Sequence, residues 1–184
     1  MKSVGKIIGI PGLFCIAMLT GCAPSKPYVY EAKENDPKLV LKSTGMPMNV
    51  HYAVTSNEEN PCENFEDVGV VRDSGRGTLL PWIARLTEKL NKVPLQLKSR
   101  VSSSKPIYVS GYGKWSDGAS KGSCGPIVTK FIPNESSTYL VEFVWEGMER
   151  CTSRVFDITK AGEKKAIPVE YKFCPRSAMS ILFD

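Results

Sequence analysis

Four cysteines beyond residue 22 carry the clearest chemistry in this sequence, at positions Cys62, Cys124, Cys151 and Cys174. An even number of thiols in an exported chain is typical of two disulfides, for which three connectivities are possible. Zinc binding is the competing chemistry, but such sites usually contain Cys-x-x-Cys pairs or several histidines. This chain has no Cys-x-x-Cys, and its single histidine is His51. The cysteines are therefore predicted to form two disulfides and to hold no metal.

Other residues that support catalysis form no recognisable pattern. A serine hydrolase needs a nucleophile, a base and a group that orients the base. His51, expected on the polar face of a strand, is the only histidine base available, and no Gly-x-Ser-x-Gly motif is present. A glycosidase can use two carboxylates instead, and the candidates are Asp67, Asp117, Glu142 and Asp157. Their spacing carries no signal, so the sequence favours a protein without enzymatic activity and without a cofactor.

The first 22 residues have the pattern of an export signal. Two lysines precede a mostly apolar stretch over residues 7–19, which is shorter than the roughly 20 residues that span a bilayer. The following residues, Leu19-Thr20-Gly21-Cys22, resemble the lipobox of bacterial lipoproteins. This resemblance implies cleavage after residue 21, a diacylglycerol thioether on the Cys22 sulfur and acylation of the new amino group. The alternative is an ordinary cleaved signal peptide.

The lipobox resemblance also implies a location. Two or three acyl chains hold a protein on a membrane almost permanently, because each buried CH₂ contributes about 0.8 kcal/mol. Ala23 follows the lipidated cysteine, in place of the aspartate that resembles an inner-membrane retention signal of enteric bacteria. In a Gram-negative cell the expected location is therefore the outer membrane, with the lipid anchor facing the periplasm.

The mature chain is predicted to contain a tether and one domain. Residues 22–37 form the lipidated N-terminus and a flexible, proline-containing tether, whose 15 residues after Cys22 reach at most about 50 Å. Tyr28, Val29 and Tyr30 depart from that pattern and are candidates to dock on the domain or on a partner. Residues 38–184 form the domain. Removing the two signal lysines leaves 22 basic and 19 acidic residues, which is not the clustered charge of a nucleic-acid-binding protein.

Short apolar runs with period-two alternation predict an antiparallel β-sandwich for this domain. On the run 48–55, for example, alternate residues are apolar and share one face. Residues 79–91 change to a helical period and predict one short helix. The period-two pattern also predicts two hairpins, at 125–146 and 152–174. The register that joins the apolar faces of the second hairpin places Cys151 opposite Cys174. By subtraction, the other disulfide joins Cys62 and Cys124.

The stretch Gly111–Ser123 is the longest glycine-rich part of the chain and is predicted to be a loop. Loops carry binding residues because a rigid scaffold positions them, and aromatic residues are common contact anchors. Tyr112, Trp115 and Asp117 are therefore the candidate partner-binding residues. The alternative is that both aromatic side chains fold back over the edge of the core.

These observations predict a membrane-anchored lipoprotein that acts as a structural or interaction component of a bacterial envelope assembly. Its layout is similar to that of sandwich lipoproteins of bacterial secretion machines, including type VI systems, although only the lipobox carries a motif. The expected partners are the membrane, through Cys22, and other envelope proteins, but no nucleic acid. The alternative is a soluble-ligand binder or an inhibitor of a host or periplasmic hydrolase.

Overall fold

A computed structural model describes residues 26–45, 47–73, 93–116, 121–147 and 150–175. In this part of the chain there are ten strands and no helix, and therefore no helix that could cross a membrane. The strands are β1 (Lys38–Gly45), β2 (Met48–Thr55), β3 (Glu66–Asp73), β4 (Gln96–Arg100), β5 (Ile107–Ser116), β6 (Lys121–Phe131), β7 (Thr138–Gly147), β8 (Arg150–Asp157), β9 (Lys165–Ala166) and β10 (Glu170–Lys172). The helix expected over residues 79–91 lies outside the described residues.

The strands form two five-stranded sheets that face each other. Sheet I has the order β4-β1-β7-β8-β9, and sheet II has the order β10-β6-β5-β2-β3. The predicted β-sandwich with two disulfides is therefore confirmed. One pair departs from the antiparallel expectation, because β1 and β7 run parallel from Lys38 opposite Thr138 to Gly45 opposite Trp145.

The main core lies between the sheets and follows the alternation of the sequence. One side chain in two points inward on each strand, because successive residues of a strand face opposite sides of the sheet. Sheet II contributes Met48, Val50, Tyr52 and Val54 from β2, and sheet I contributes Tyr139, Val141, Phe143 and Trp145 from β7. All eight side chains are at most 8% exposed, so the face predicted for the run 48–55 is confirmed.

Tyr52 links the two sheets by hydrogen bonds through the core. Its hydroxyl donates to the Lys42 carbonyl on β1 at 2.6 Å and accepts from the Phe143 N–H on β7 at 3.1 Å. Burial raises the pKa of Tyr52 above its ordinary value, so the hydroxyl stays protonated and remains a donor. Sheet II is thereby tied to the β1–β7 pair of sheet I.

Neither predicted hairpin in the C-terminal half forms, because the two strands of each one do not pair with each other. β6 and β7 lie in different sheets, because the chain crosses between the sheets over residues 132–137. β8 pairs with the two-residue strand β9, and the chain then leaves sheet I at Pro168. Proline has no N–H with which to continue a ladder. The following strand, β10, joins β6 in sheet II, where Tyr171 lies opposite Thr129.

The change of sheet also corrects the disulfide pairing. The bonds are Cys62–Cys174, with Cα atoms 5.3 Å apart, and Cys124–Cys151, with Cα atoms 6.1 Å apart. Because β10 lies in sheet II, Cys174 emerges beside the β2–β3 loop that carries Cys62. Cys151 stays in sheet I opposite Trp145, where it faces Cys124 across the sandwich. The predicted Cys151–Cys174 and Cys62–Cys124 bonds are therefore wrong.

A second apolar cluster covers the outer face of sheet II. Its buried members are Ala53, Phe65, Tyr108, Tyr112, Val128 and Cys174, with Cys62 packed against them. The Cys62–Cys174 bond fastens the β2–β3 loop over this face. Sheet II is consequently buried on both sides in this region, which explains why Tyr108 and Val109 are both almost fully buried although they point in opposite directions.

Candidate interaction surface at the β5–β6 end

The glycine-rich stretch 111–123 is a strand pair, not the predicted loop, wherever the structure describes it. Residues 111–116 belong to β5 and residues 121–123 to β6. The glycines do not form turns here. Their lack of a side chain leaves room for side chains of the core. A Cβ atom on Gly111 would lie 2.5 Å from Cδ2 of Phe143, and one on Gly113 would lie 2.7 Å from Sδ of Met48.

The three candidate partner-binding residues occupy different environments. Tyr112 is only 2% exposed and packs within the outer cluster of sheet II, so its ring is part of the core. The Nζ of Lys114 lies 5.5 Å from the centroid of that ring. Asp117 lies outside the described residues, as does Cys22. Of the two candidates that the structure describes, only Trp115 reaches the surface.

Trp115 lies at the end of the sandwich, where the two sheets meet. Its ring stacks on that of Trp145, with the centroids 4.2 Å apart and the planes at 22°. Gly122 lies opposite Trp115 in the β5–β6 ladder, and a Cβ atom there would overlap the indole ring. Trp115 is therefore held by packing on two sides and is only partly buried.

A cleft of about 460 Å³ opens beside Trp115. Its lining residues are Asn49, Tyr112, Lys114, Trp115, Ser116, Lys121, Gly122 and Ser123. Lys114 and Lys121 are exposed. The cleft therefore combines two cations and several hydrogen-bonding groups with one aromatic edge. This chemistry suits a partner that carries carboxylates together with an apolar group.

His51 is half-buried and paired, in contrast to the surface position expected for it. Its Nε2 lies 2.8 Å from Oδ1 of Asp67, and the two side chains are 21% and 25% exposed. The pair joins β2 to β3 next to the irregularity in their register at Tyr52 and Ala53. An ion pair or hydrogen bond at this point helps to fix the register of the two strands.

The described candidate carboxylates do not come together. Asp67 lies on sheet II, while Glu142 lies on sheet I and pairs with Lys164 at 2.8 Å. Asp157 ends β8, where hydrogen bonds from Thr159 lower the pKa of its carboxyl. Among the described residues, no group of three or more His, Cys, Asp or Glu side chains is arranged to hold a metal ion.

The residues 26–30, called here the docked segment, lie along the edge of the sandwich. The Tyr28 N–H donates to the Asp67 carbonyl at 2.7 Å, and the Asp67 N–H donates to the Lys26 carbonyl at 2.8 Å. The Tyr28 hydroxyl donates to the Arg100 carbonyl at 2.7 Å. Asp67 is on β3 of sheet II and Arg100 is on β4 of sheet I. The docked segment therefore joins the edge strands of the two sheets.

The residues that follow the docked segment are held as well. Tyr30 stacks on Tyr28 with the ring centroids 6.1 Å apart, and its hydroxyl donates to Asp36. Arg100 donates from Nη1 to three carbonyls, those of Lys33, Glu34 and Asp36. Several residues between 26 and 37 are thus held against the domain by hydrogen bonds. The alternation Tyr-Val-Tyr is the signal in the sequence for this docking.

No protein-family model matches this chain, and no curated protein is significantly similar to it in sequence.

The docked segment and the Trp115 cleft lie at opposite ends of β5. Ile107, the first residue of β5, lines a smaller cleft together with Tyr28, and Ser116, the last residue, lines the Trp115 cleft. A ten-residue strand spans about 30 Å at 3.3–3.4 Å per residue. The two features are therefore separated by about the length of the sandwich.

Proposed function

We propose that this protein is a non-catalytic, lipid-anchored component of a bacterial envelope assembly, which binds a partner protein with the Trp115 cleft. The observation that carries the proposal is the placement of the docked segment and the cleft at opposite ends of β5. An anchor on Cys22 precedes the docked segment by a few residues. The cleft then points away from the membrane, where another envelope protein can reach it.

The compartment follows from the disulfides, while the anchor follows from the lipobox resemblance. Two disulfides indicate an oxidising, extracytoplasmic compartment. The lipobox around Cys22 supports attachment to a membrane in that compartment, and Ala23 favours the outer membrane of a Gram-negative cell. The proposed orientation faces the periplasm.

The chemistry of the cleft specifies the partner surface. Lys114 and Lys121 favour acidic side chains, which would increase the rate of association and select against basic partners. The edge of Trp115 offers the kind of aromatic anchor that contributes most to many interfaces. The proposed partner therefore presents an acidic segment with at least one apolar side chain.

Photo-crosslinking in native membranes tests this function. A photoreactive amino acid at Lys121 is expected to capture an envelope protein, which mass spectrometry then identifies. The same probe at Lys160, an exposed lysine in the β8–β9 turn, is the matched control. Charge reversal by Lys114→Glu should weaken capture from position 121. Recovery of this protein alone, with Cys22 lipidated, would contradict the proposal.

The volume of the cleft favours one second candidate, a binder of a soluble ligand or an inhibitor of a periplasmic or host hydrolase. Small-molecule pockets have volumes of about 300–1,000 Å³, and the Trp115 cleft measures about 460 Å³. Asn49, Ser116 and Ser123 supply hydrogen-bonding groups for such a ligand. Thermal unfolding of the lipidated protein with a panel of acidic sugars distinguishes this function, because binding raises the melting temperature and Lys114→Ala should abolish the rise.

A further inference from the structure

We propose that the docked segment holds the Tyr28 end of the sandwich directly on the lipid surface of the membrane. The inference rests on the proposed lipid anchor at Cys22. Among the described residues, the first one held by the domain is Lys26, four residues after Cys22. Four residues of extended chain reach at most about 14 Å, against about 50 Å for a free tether from residue 23 to residue 37. The length of chain outside the domain therefore leaves little space between the domain and the bilayer.

Several contacts keep this chain short. Lys26 forms an ion pair with Glu66 and accepts a hydrogen bond from the Asp67 N–H through its carbonyl. Tyr28 adds its own N–H bond to Asp67 and its hydroxyl bond to Arg100. Loss of the Lys26 contacts alone would free only two more residues, and a longer tether also requires the Tyr28 contacts to break. The docked segment thus acts as a fixed attachment point on the β3–β4 side of the sandwich.

The residues around this attachment point define the surface that meets the lipid. Val29 is an apolar residue that is 79% exposed. Lys105, in the β4–β5 loop, is also exposed and lines the same 340 Å³ cleft as Tyr28 and Val29. Exposed Glu31 and Glu34 follow in the chain and offset the charge of Lys105. The net charge of this surface therefore gives no preference for anionic lipids. Chain length carries the inference, and the exposed Val29 is suited to the interface between headgroups and acyl chains.

One consequence concerns the height of the partner site. With the Tyr28 end on the bilayer, the Trp115 cleft stands roughly one strand length, about 30 Å, away from it. A free tether would let the cleft sample a wide range of heights. The docked segment instead presents the cleft to a partner at a nearly constant distance from the membrane.

Photo-crosslinking to lipid tests this orientation in the full-length lipidated protein. A photoreactive amino acid at Lys105 in vesicles of bacterial phospholipid is expected to form lipid adducts at several times the yield of the same probe at Lys121. Lys121 is a suitable control because it is exposed and lies opposite Ser116, at the far end of β5 from Ile107. Equal yields at the two positions, with the lipid on Cys22 confirmed by mass, would overturn the inference.

A longer tether provides a second test that leaves every contact of the domain intact. Insertion of about ten Gly and Ser residues between Ser25 and Lys26 adds a flexible spacer of coil dimensions. The adduct yield at Lys105 should then fall to that of Lys121. An unchanged yield would overturn the inference while leaving the proposed function standing. A mature wild-type chain without lipid on Cys22 would overturn both.

Discussion

Trp115 on β5 stacks on Trp145 on β7 with the ring centroids 4.2 Å apart, so an aromatic pair closes one end of the sandwich. The Cys124–Cys151 bond joins the two sheets beside this pair, since Cys151 lies opposite Trp145 in the β7–β8 ladder. A covalent bond and a ring stack thus hold the end that carries the cleft. A partner would meet a surface that is already formed, which lowers the entropic cost of binding.

We expect Trp115→Ala to destabilise the domain as well as to alter the cleft. Trp-to-Ala changes in cores cost about 3–5 kcal/mol, and a partly buried ring should cost less, about 2–3 kcal/mol. Urea unfolding measures the loss, and near-ultraviolet circular dichroism should show the loss of the coupled indole signal. Lys121→Ala, on the same hairpin, should change the stability by less than about 0.5 kcal/mol. An unchanged urea midpoint for Trp115→Ala would contradict the stacked arrangement.

Tyr52→Phe should remove a hydrogen-bonded link between the sheets. The substitution leaves the Lys42 carbonyl and the Phe143 N–H without the buried hydroxyl that serves them both. Leaving buried polar groups unsatisfied costs about 1–3 kcal/mol. Equilibrium unfolding in urea at neutral pH should show a lower midpoint with an unchanged slope. Tyr171→Phe is the comparison: its hydroxyl donates to the Ser153 carbonyl at 2.8 Å, but the side chain is 60% exposed, so water can replace the lost bond and the loss of stability should be smaller.

The alternation of apolar residues predicts strand faces well, because it depends only on neighbouring residues. Met48, Val50, Tyr52 and Val54 therefore face the core as expected. Alternation does not show which sheet a strand enters. The crossing at Pro168 takes β10 to sheet II, and the predicted partner of Cys151 changes with it. The sheet that β10 joins thus decides both the second hairpin and the disulfide pairing, and the local sequence does not reveal it.

At the candidate site, the glycines also have a role that the local sequence does not reveal. Gly111, Gly113 and Gly122 indicate a loop when the sequence is considered alone, because glycine is common where the chain turns. In the structure they make room for Phe143, Met48 and Trp115. Trp115 was identifiable from its type, but Lys114 and Lys121 were not, since exposed lysines are ordinary on any soluble surface.

The two disulfides should differ in their contribution to stability. Cys62–Cys174 closes a sequence separation of 112 residues and Cys124–Cys151 one of 27 residues. In the chain-entropy account, the longer loop contributes about 1 kcal/mol more. Replacing each pair by alanines and measuring urea unfolding should give this order. Peptide mapping without reduction should recover the 62–174 and 124–151 links, and a peptide joining Cys151 to Cys174 would contradict the structure.

High pH should release the docked segment through Tyr28. Burial is the largest cause that raises the pKa of Tyr28 above its ordinary value, and the nearby groups of Tyr30, Glu66 and Asp36 raise it further. The docked state therefore favours the neutral phenol, which can donate to the Arg100 carbonyl. Because the folded pKa is the higher one, this contribution to stability is fully present below about pH 10, the ordinary pKa of tyrosine, and is lost as the pH rises further.

Tyrosinate absorbance near 295 nm during an alkaline titration measures this release. The wild-type protein should show a late phase, above the range of ordinary tyrosines, to which Tyr28 and Tyr52 contribute. Tyr28→Phe should remove about one tyrosine from that phase and should make stability less sensitive to pH above about 10. Tyr52→Phe should also reduce the late phase but should leave the docked segment sensitive to pH. A late phase of unchanged size in Tyr28→Phe would show that residue 28 is exposed, and the segment would then be free of the domain.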